Sequence, residues 1–86
     1  MNVIKDPDAV LDYAWEWGDW LAPDEAITSH QVIVQDITLD SDNRSGSTVV
    51  AWLSGGDGRV AYATCRVTTN EGRTDDRTLV LQLKDR

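Results

Sequence analysis

Residues 60–69 read VAYATCRVTT, with Ala61, Ala63, Cys65 and Val67 on one parity and Tyr62, Thr64 and Arg66 on the other. A repeat of two residues matches the pleat of a strand with one face buried, and no helix reproduces it. The same alternation returns in RTLVLQLK, where Leu79, Leu81 and Leu83 fall together, and in ITSHQVIVQ, where Val32 and Val34 share a face. TVVAWLS is a short strand rich in β-formers, and Leu11, Tyr13, Trp15 and Trp17 alternate with Asp12, Ala14, Glu16 and Gly18. Turn-forming clusters separate these runs: LAPDEA, DSDNRSGS, Gly55-Gly56-Asp57-Gly58 and Asn70-Glu71-Gly72. Short strands broken by turn signals every 8–12 residues or so indicate an all-β antiparallel sandwich, here of six or seven strands.

Two segments are open to another reading. DPDAVLDYAWEW could start a helix, with Asp6 as N-cap and Pro7 in the first turn. The dense aromatics, the following Gly18 and the strand character of the rest favour a strand. ITLDSDNRSGS is read as a brief strand at Ile37–Leu39 followed by a polar loop. The two glycine-containing clusters at 55–58 and 70–72 are read as hairpin turns.

YAWEWGDW places a tyrosine and three tryptophans within eight positions of a chain that has no phenylalanine. A strand over 11–17 puts Tyr13, Trp15 and Trp17 on one face and carboxylates on the other. A buried face lined with carboxylates is too costly, so the rings must point inward. Trp52 is expected to join them in the core from a later strand. Trp20, beyond Gly18, is expected to cover the end of the core. The competing reading is a platform of exposed rings that stacks on sugars. Cys65 has no cysteine partner in this chain, and its phase with Ala61, Ala63 and Val67 predicts a buried thiol.

At 86 residues the chain reads as one domain over 1–86, able to bury only roughly 60–65% of the surface exposed when unfolded. A composition of 41% apolar and 27% charged residues suits a folded domain. No apolar run approaches the roughly 18 residues that span a bilayer, and MNVIKDPDAV, without an apolar stretch and cleavage site, is not read as a secretion signal. Net charge is −7, and residues 1–43 hold ten acidic side chains against one basic, Lys5. Residues 44–86 hold five acidic and seven basic. Such a balance argues against nucleic acid and anionic membranes as partners and suggests an acidic face opposite a mildly basic one.

The chain offers little chemistry. SGGDGR lacks the Lys-Ser/Thr of a phosphate loop. Asp40-Ser41-Asp42-Asn43 begins like a calcium loop, but Arg44 and Ala51 stand where further ligands are needed, so no metal is expected. His30 has no nucleophile or second histidine to work with, and Asp75-Asp76 lies on a strand entry rather than in a cleft. Neither an enzyme nor a cofactor is expected.

The string IKDPDAVLDYAWEWGDWLAPDEAI resembles the first half of small tail-associated proteins of tailed phages and prophages, with a KDPD start, an LDY strand, a D-W-L turn and an I-x-S strand. AWLSGGDGRVAYATCRVTTNEGRTDDRTLVLQLK is similar to the second half, with its W-L-S-G-G turn, R-x-T-T strand and G-R-T-D-x-R turn. The chain departs at SHQVIVQD, where relatives tend to carry a tryptophan and a proline-glycine turn. The resemblance is to the phage fiber-tail adaptors and implies an immunoglobulin-like sandwich. It also implies a non-enzymatic role in the virion tail, after synthesis in the host cytoplasm. Its partners would be other tail or fiber proteins, with many copies in the assembled tail and a monomer outside it. On that reading the expected contacts are exposed residues near the loops. These are Trp20, Asp24 and Glu25, then Asp57 and Arg59, then Arg73, Asp75 and Asp76; tryptophan and arginine dominate interface energies.

Overall fold

The computed structural model describes residues 2–84. Seven strands follow in order: β1 (Asn2–Lys5), β2 (Val10–Glu16), β3 (Ile27–Gln35), β4 (Thr38–Ser45), β5 (Thr48–Ser54), β6 (Val60–Thr69) and β7 (Thr74–Leu83). They form two sheets, one in the order β1-β7-β6-β3 and the other β2-β5-β4. Pairing is antiparallel throughout except between β1 and β7, which run parallel. The result is an all-β sandwich of seven strands.

The core follows the parity read from the sequence. Ala61, Ala63, Cys65 and Val67 from β6 meet Leu79, Leu81 and Leu83 from β7, and Val49, Ala51 and Leu53 face them from β5. Trp15 (1% exposed) and Trp17 (0%) fill the space between the sheets. Leu11 shares the inner parity, opposite Leu53, yet stays 40% exposed at the open start of β2. Trp52 corrects an expectation: it is 44% exposed. Alternation along β5 sends Val49, Ala51 and Leu53 inward, so position 52 must point out.

The possible helix start makes a turn instead. Asp6 accepts the Asp8 amide at its carboxylate (2.9 Å) and the Ala9 amide at its carbonyl (3.0 Å), delivering the chain into β2. The segment read as a loop after Leu39 is strand β4 to Ser45. Asp40 occupies a bulge, and the true turn is the two-residue hairpin Gly46–Ser47, with Gly46 at φ 60°. The polar residues of β4 are held by side chains: Asp42 Oδ1 lies 2.6 Å from His30 Nε2, and Arg44 Nη1 donates to His30 Nδ1 at 3.2 Å. Since arginine can only donate, Nδ1 is the acceptor and Nε2 carries the proton to Asp42. His30 thus joins the edge strands of the two sheets.

The cluster at 55–58 is not a hairpin, because β5 and β6 belong to different sheets. It is a crossover, and Gly56 is required there: at φ 137° a Cβ would lie 2.8 Å from both Leu83 methyls. Lys5, 0% exposed, anchors the crossover by donating to Gly55 O (2.8 Å) and Asp6 O (2.9 Å). Burial lowers its pKa, opposed by the nearby charges of Asp6, Asp8 and Asp40. The cluster at 70–72 is a hairpin between β6 and β7, closed by the Gly72 amide on Thr69 O at 3.0 Å.

Candidate functional site

The strands run the length of a molecule 43 × 18 × 17 Å in extent, so its two ends are well separated. Trp20, Asp24 and Glu25 lie in the β2–β3 loop, at the same end as Arg73, Asp75 and Asp76 in and after the β6–β7 hairpin. Asp57 and Arg59 lie in the β5–β6 crossover at the opposite end, where the Asp57 amide bonds to Asp36 O at 2.9 Å. The eight residues therefore form two groups rather than one site.

At the first end three of them build an internal clasp. Arg73 Nε donates to Glu25 Oε2 at 2.9 Å, and its Nη2 reaches Glu25 Oε1 and, at 3.0 Å, Trp20 O. Thr69 Oγ1 donates to Glu25 Oε2 (2.7 Å), and the Ala22 amide donates to Oε1 (2.9 Å). Asn70 completes the join by exchanging two 3.0 Å bonds with Ala26. Glu25 was expected to be exposed and is only 8% exposed; four donors draw its carboxylate inward. Arg73 and the Ala22 and Thr69 donors hold its pKa down to about 2.

The Arg73 guanidinium also sits 4.2 Å above the Trp20 ring, and that ring meets Trp17 edge-on at 5.2 Å and 68°. Trp20 is half-buried and covers the end of the core, as expected. Arg77, not among the expected contacts, lies 4.2 Å over the Trp17 ring and donates to Glu16 O at 2.8 Å. Asp76 accepts two bonds from Arg66 on the outer face of the four-stranded sheet, at 2.8 and 3.0 Å. Asp24, Asp57, Arg59 and Asp75 remain exposed, with no side-chain ion pair among the described residues.

A cleft between β2 and β7 is lined by Ala14, Trp15, Glu16, Arg77 and Thr78. Its carboxylate, Glu16, already accepts from Ser47 Oγ at 2.6 Å, from the Gly18 amide at 2.9 Å and from Thr48 Oγ1. Those bonds lower its pKa to about 2, far from the range of a proton-transfer group near neutral pH. Among the described residues no group of three or more His, Cys, Asp or Glu side chains could hold a metal ion.

The outer face of the three-stranded sheet is the feature that sequence reasoning missed. The register puts Asp12, Trp52 and Ser41 in one row across it, with Ala14, Val50 and Asn43 in the next. Parity within TVVAWLS, phased on Leu53, would have shown Trp52 to be outward.

No curated protein matches the chain. A family model described as podophage GP4 fiber-tail adaptor protein gp77 matches residues 5–82. That match spans Lys5 under the crossover, the tryptophan-bearing β2, the clasp and nearly all of β7. The chain belongs to the podophage GP4 fiber-tail adaptor (gp77) family.

Proposed function

We propose that this protein is a non-enzymatic structural component of a phage or prophage tail, joining the tail to a fiber or a neighbouring tail protein by surface docking. The observation that carries this reading is the family match over residues 5–82. The chain acts as one domain, made in the host cytoplasm and built into the virion in many copies. Weak single contacts repeated around a symmetry axis hold far better than any one of them. Its net charge of −7 disfavours nucleic acid and anionic lipid as partners.

The strand order supports an immunoglobulin-like identity for the sandwich. Such domains place strands B-E-D in one sheet and G-F-C in the other, as β2-β5-β4 and β7-β6-β3 do here, with β1 added beside β7. The exposed Asp24 and Asp75 at one end, and Asp57 and Arg59 at the other, give each end its own polar contacts, as a connector between two neighbours needs. Trp20, Glu25 and Arg73 support them by fixing the loops, and Asp76 ties β7 to β6 through Arg66. A sugar platform has no such support. Trp15 and Trp17 are buried, Trp20 lies under Arg73, and Trp52 stands alone on its face.

Tail particles assembled without this protein supply the test. Adding purified protein is expected to restore fiber attachment, scored by negative-stain microscopy. Fiber occupancy that is equal with and without it would overturn the reading.

A further inference from the structure

The four tryptophans of this chain are not treated alike. Trp15 is enclosed by the core. Trp17 and Trp20 each carry one of the chain's own guanidinium groups on a ring face, at 4.2 Å, with an oxygen acceptor holding that arginine in place: Glu16 O for Arg77, Glu25 for Arg73. Trp52 has the acceptor without the cation. Asp12 stands directly opposite it across the β2/β5 pair, and its carboxylate makes no ion pair among the described residues. The residues around the ring are small or slender: Ser41 across β4, with Val50 and Ser54 on either side along β5. Nothing tall walls the ring in.

Charge on this face has one sign. Asp12 and Glu16 from β2 and Asp40 at the β4 bulge lie on it, Asp40 accepting from Ser54 Oγ at 3.0 Å. Arg44 lies on the inner parity, opposite Val49, so this face holds no Lys or Arg. The outer face of the other sheet is neutral, since Arg66 and Asp76 neutralise each other there. An exposed indole with a carboxylate directly across from it attracts a guanidinium both through the ring quadrupole and through the acid.

We propose that the outer face of β2-β5-β4 is a docking surface for an arginine-bearing segment of a neighbouring tail or fiber protein, with the guanidinium on Trp52 and paired to Asp12. This rests on the adaptor reading and names the chemistry of one of its contacts. Three strands about 4.8 Å apart and seven residues long give a face of roughly 300 Å². A stable two-body interface needs roughly 800 Å² from each partner, so a second copy of this chain is not the occupant. Arg66 and Arg73 are already paired with Asp76 and Glu25. The exposed cations without an ion pair among the described residues, Arg59 and Lys84, sit together around one cleft at the end of the molecule, not on a flat strand that could lie along this face. A slender segment fits the area, and repetition around the tail supplies the strength.

Nuclear magnetic resonance of the ¹⁵N-labelled protein tests this with three capped peptides of threonine and valine carrying two arginines, two lysines or two glutamines. The arginine peptide is expected to give saturable shifts of the Trp52 indole N–H and of β2, β4 and β5 amides. The lysine peptide should bind about threefold more weakly, and the glutamine peptide should not bind. Trp52→Ala should weaken the arginine peptide by about tenfold and Asp12→Asn by about threefold, with the rest of each spectrum showing an intact fold. Equal binding of the glutamine peptide, or shifts confined to the other sheet, would overturn the proposal. So would a Trp52 signal that moves on dilution of the protein alone, since a second copy would then cover the face. The two readings also separate in the tail assay. If Trp52→Ala and Asp12→Asn protein restore fibers as well as the parent does, this surface is wrong and the adaptor role stands. If the parent protein restores none, the adaptor role itself fails, while the peptide series still decides the surface.

Discussion

Trp15 and Trp17 are fully covered, yet neither indole N–H reaches an oxygen or nitrogen acceptor. The Cys65 thiol, a weak acceptor, interacts with the Trp17 side chain. Burying an unpaired donor costs about 1–3 kcal/mol, and the rings must outweigh that through the apolar area they cover. In a chain without phenylalanine, few other side chains can supply that area. Trp15→Ala should therefore destabilise the fold by about 3–5 kcal/mol, measured by urea unfolding. Trp52→Ala, on the open face, should stay within about 0.5 kcal/mol of the parent. Equal losses at the two positions would contradict the division of the tryptophans into core and surface. Cys65 gives a second residue-scale test. It is 0% exposed, and burial raises its pKa, so little reactive thiolate forms. It should react with Ellman's reagent only after denaturant is added; rapid labelling of the native protein would show the core to be open there.

Between residues and molecule stand the joins between elements, chief among them the clasp of Glu25, Thr69 and Arg73. Its pH dependence has a definite sign. Glu25 and Glu16 have folded pKa values near 2, below the ordinary 4.5. The stability they add is complete above about pH 4.5 and is lost as pH falls toward 2. Melting temperature should accordingly drop on acidification mainly below about pH 4.5. Glu25→Gln should flatten that acid limb and lower stability at neutral pH, where Arg73 loses its charged partner. An acid limb identical to the parent's would mean that the clasp does not couple to folding.

Strand parity explains how far these elements could be read from sequence. Where one face is uniformly apolar, as in β6 and β7, alternation reports the strand and its inner side together. The part of β4 after Leu39 escaped because Asp, Ser and Asn favour turns, and what makes them a strand is pairing with the next strand, β5, and with His30 on the other sheet. The glycines at 55–58 announced a change of direction truly. Whether the chain returns to its own sheet or crosses to the other depends on where β6 pairs, which no local residue records. The short β1 was invisible for the same reason, its parallel partner β7 lying at the far end of the chain. Of the eight candidate contacts, six lie in loops, while Asp75 and Asp76 fall at the start of strand β7. Residue type could not show that Glu25 and Arg73 answer each other across 48 positions.

For the whole molecule, the uneven charge of the sequence survives folding in a changed form. The acidic half contributes β2 and most of β4 to one sheet, β5 between them carries no charge and Arg44 lies on the inner parity, so the charges on that sheet's outer face are all acidic. The other sheet is neutral outside, and two cations, Arg59 and Lys84, gather at one end. A small body with distinct faces and two dissimilar ends suits a part inserted between neighbours, the role proposed for this adaptor family member. The most direct measurement of that role is a cryo-electron microscopy map of the virion carrying this protein. The account predicts sandwich-shaped density of about 43 × 18 × 17 Å, in several symmetry-related copies, at the junction between tail and fiber. A map in which the protein is absent from the particle, or lies away from that junction, would contradict it.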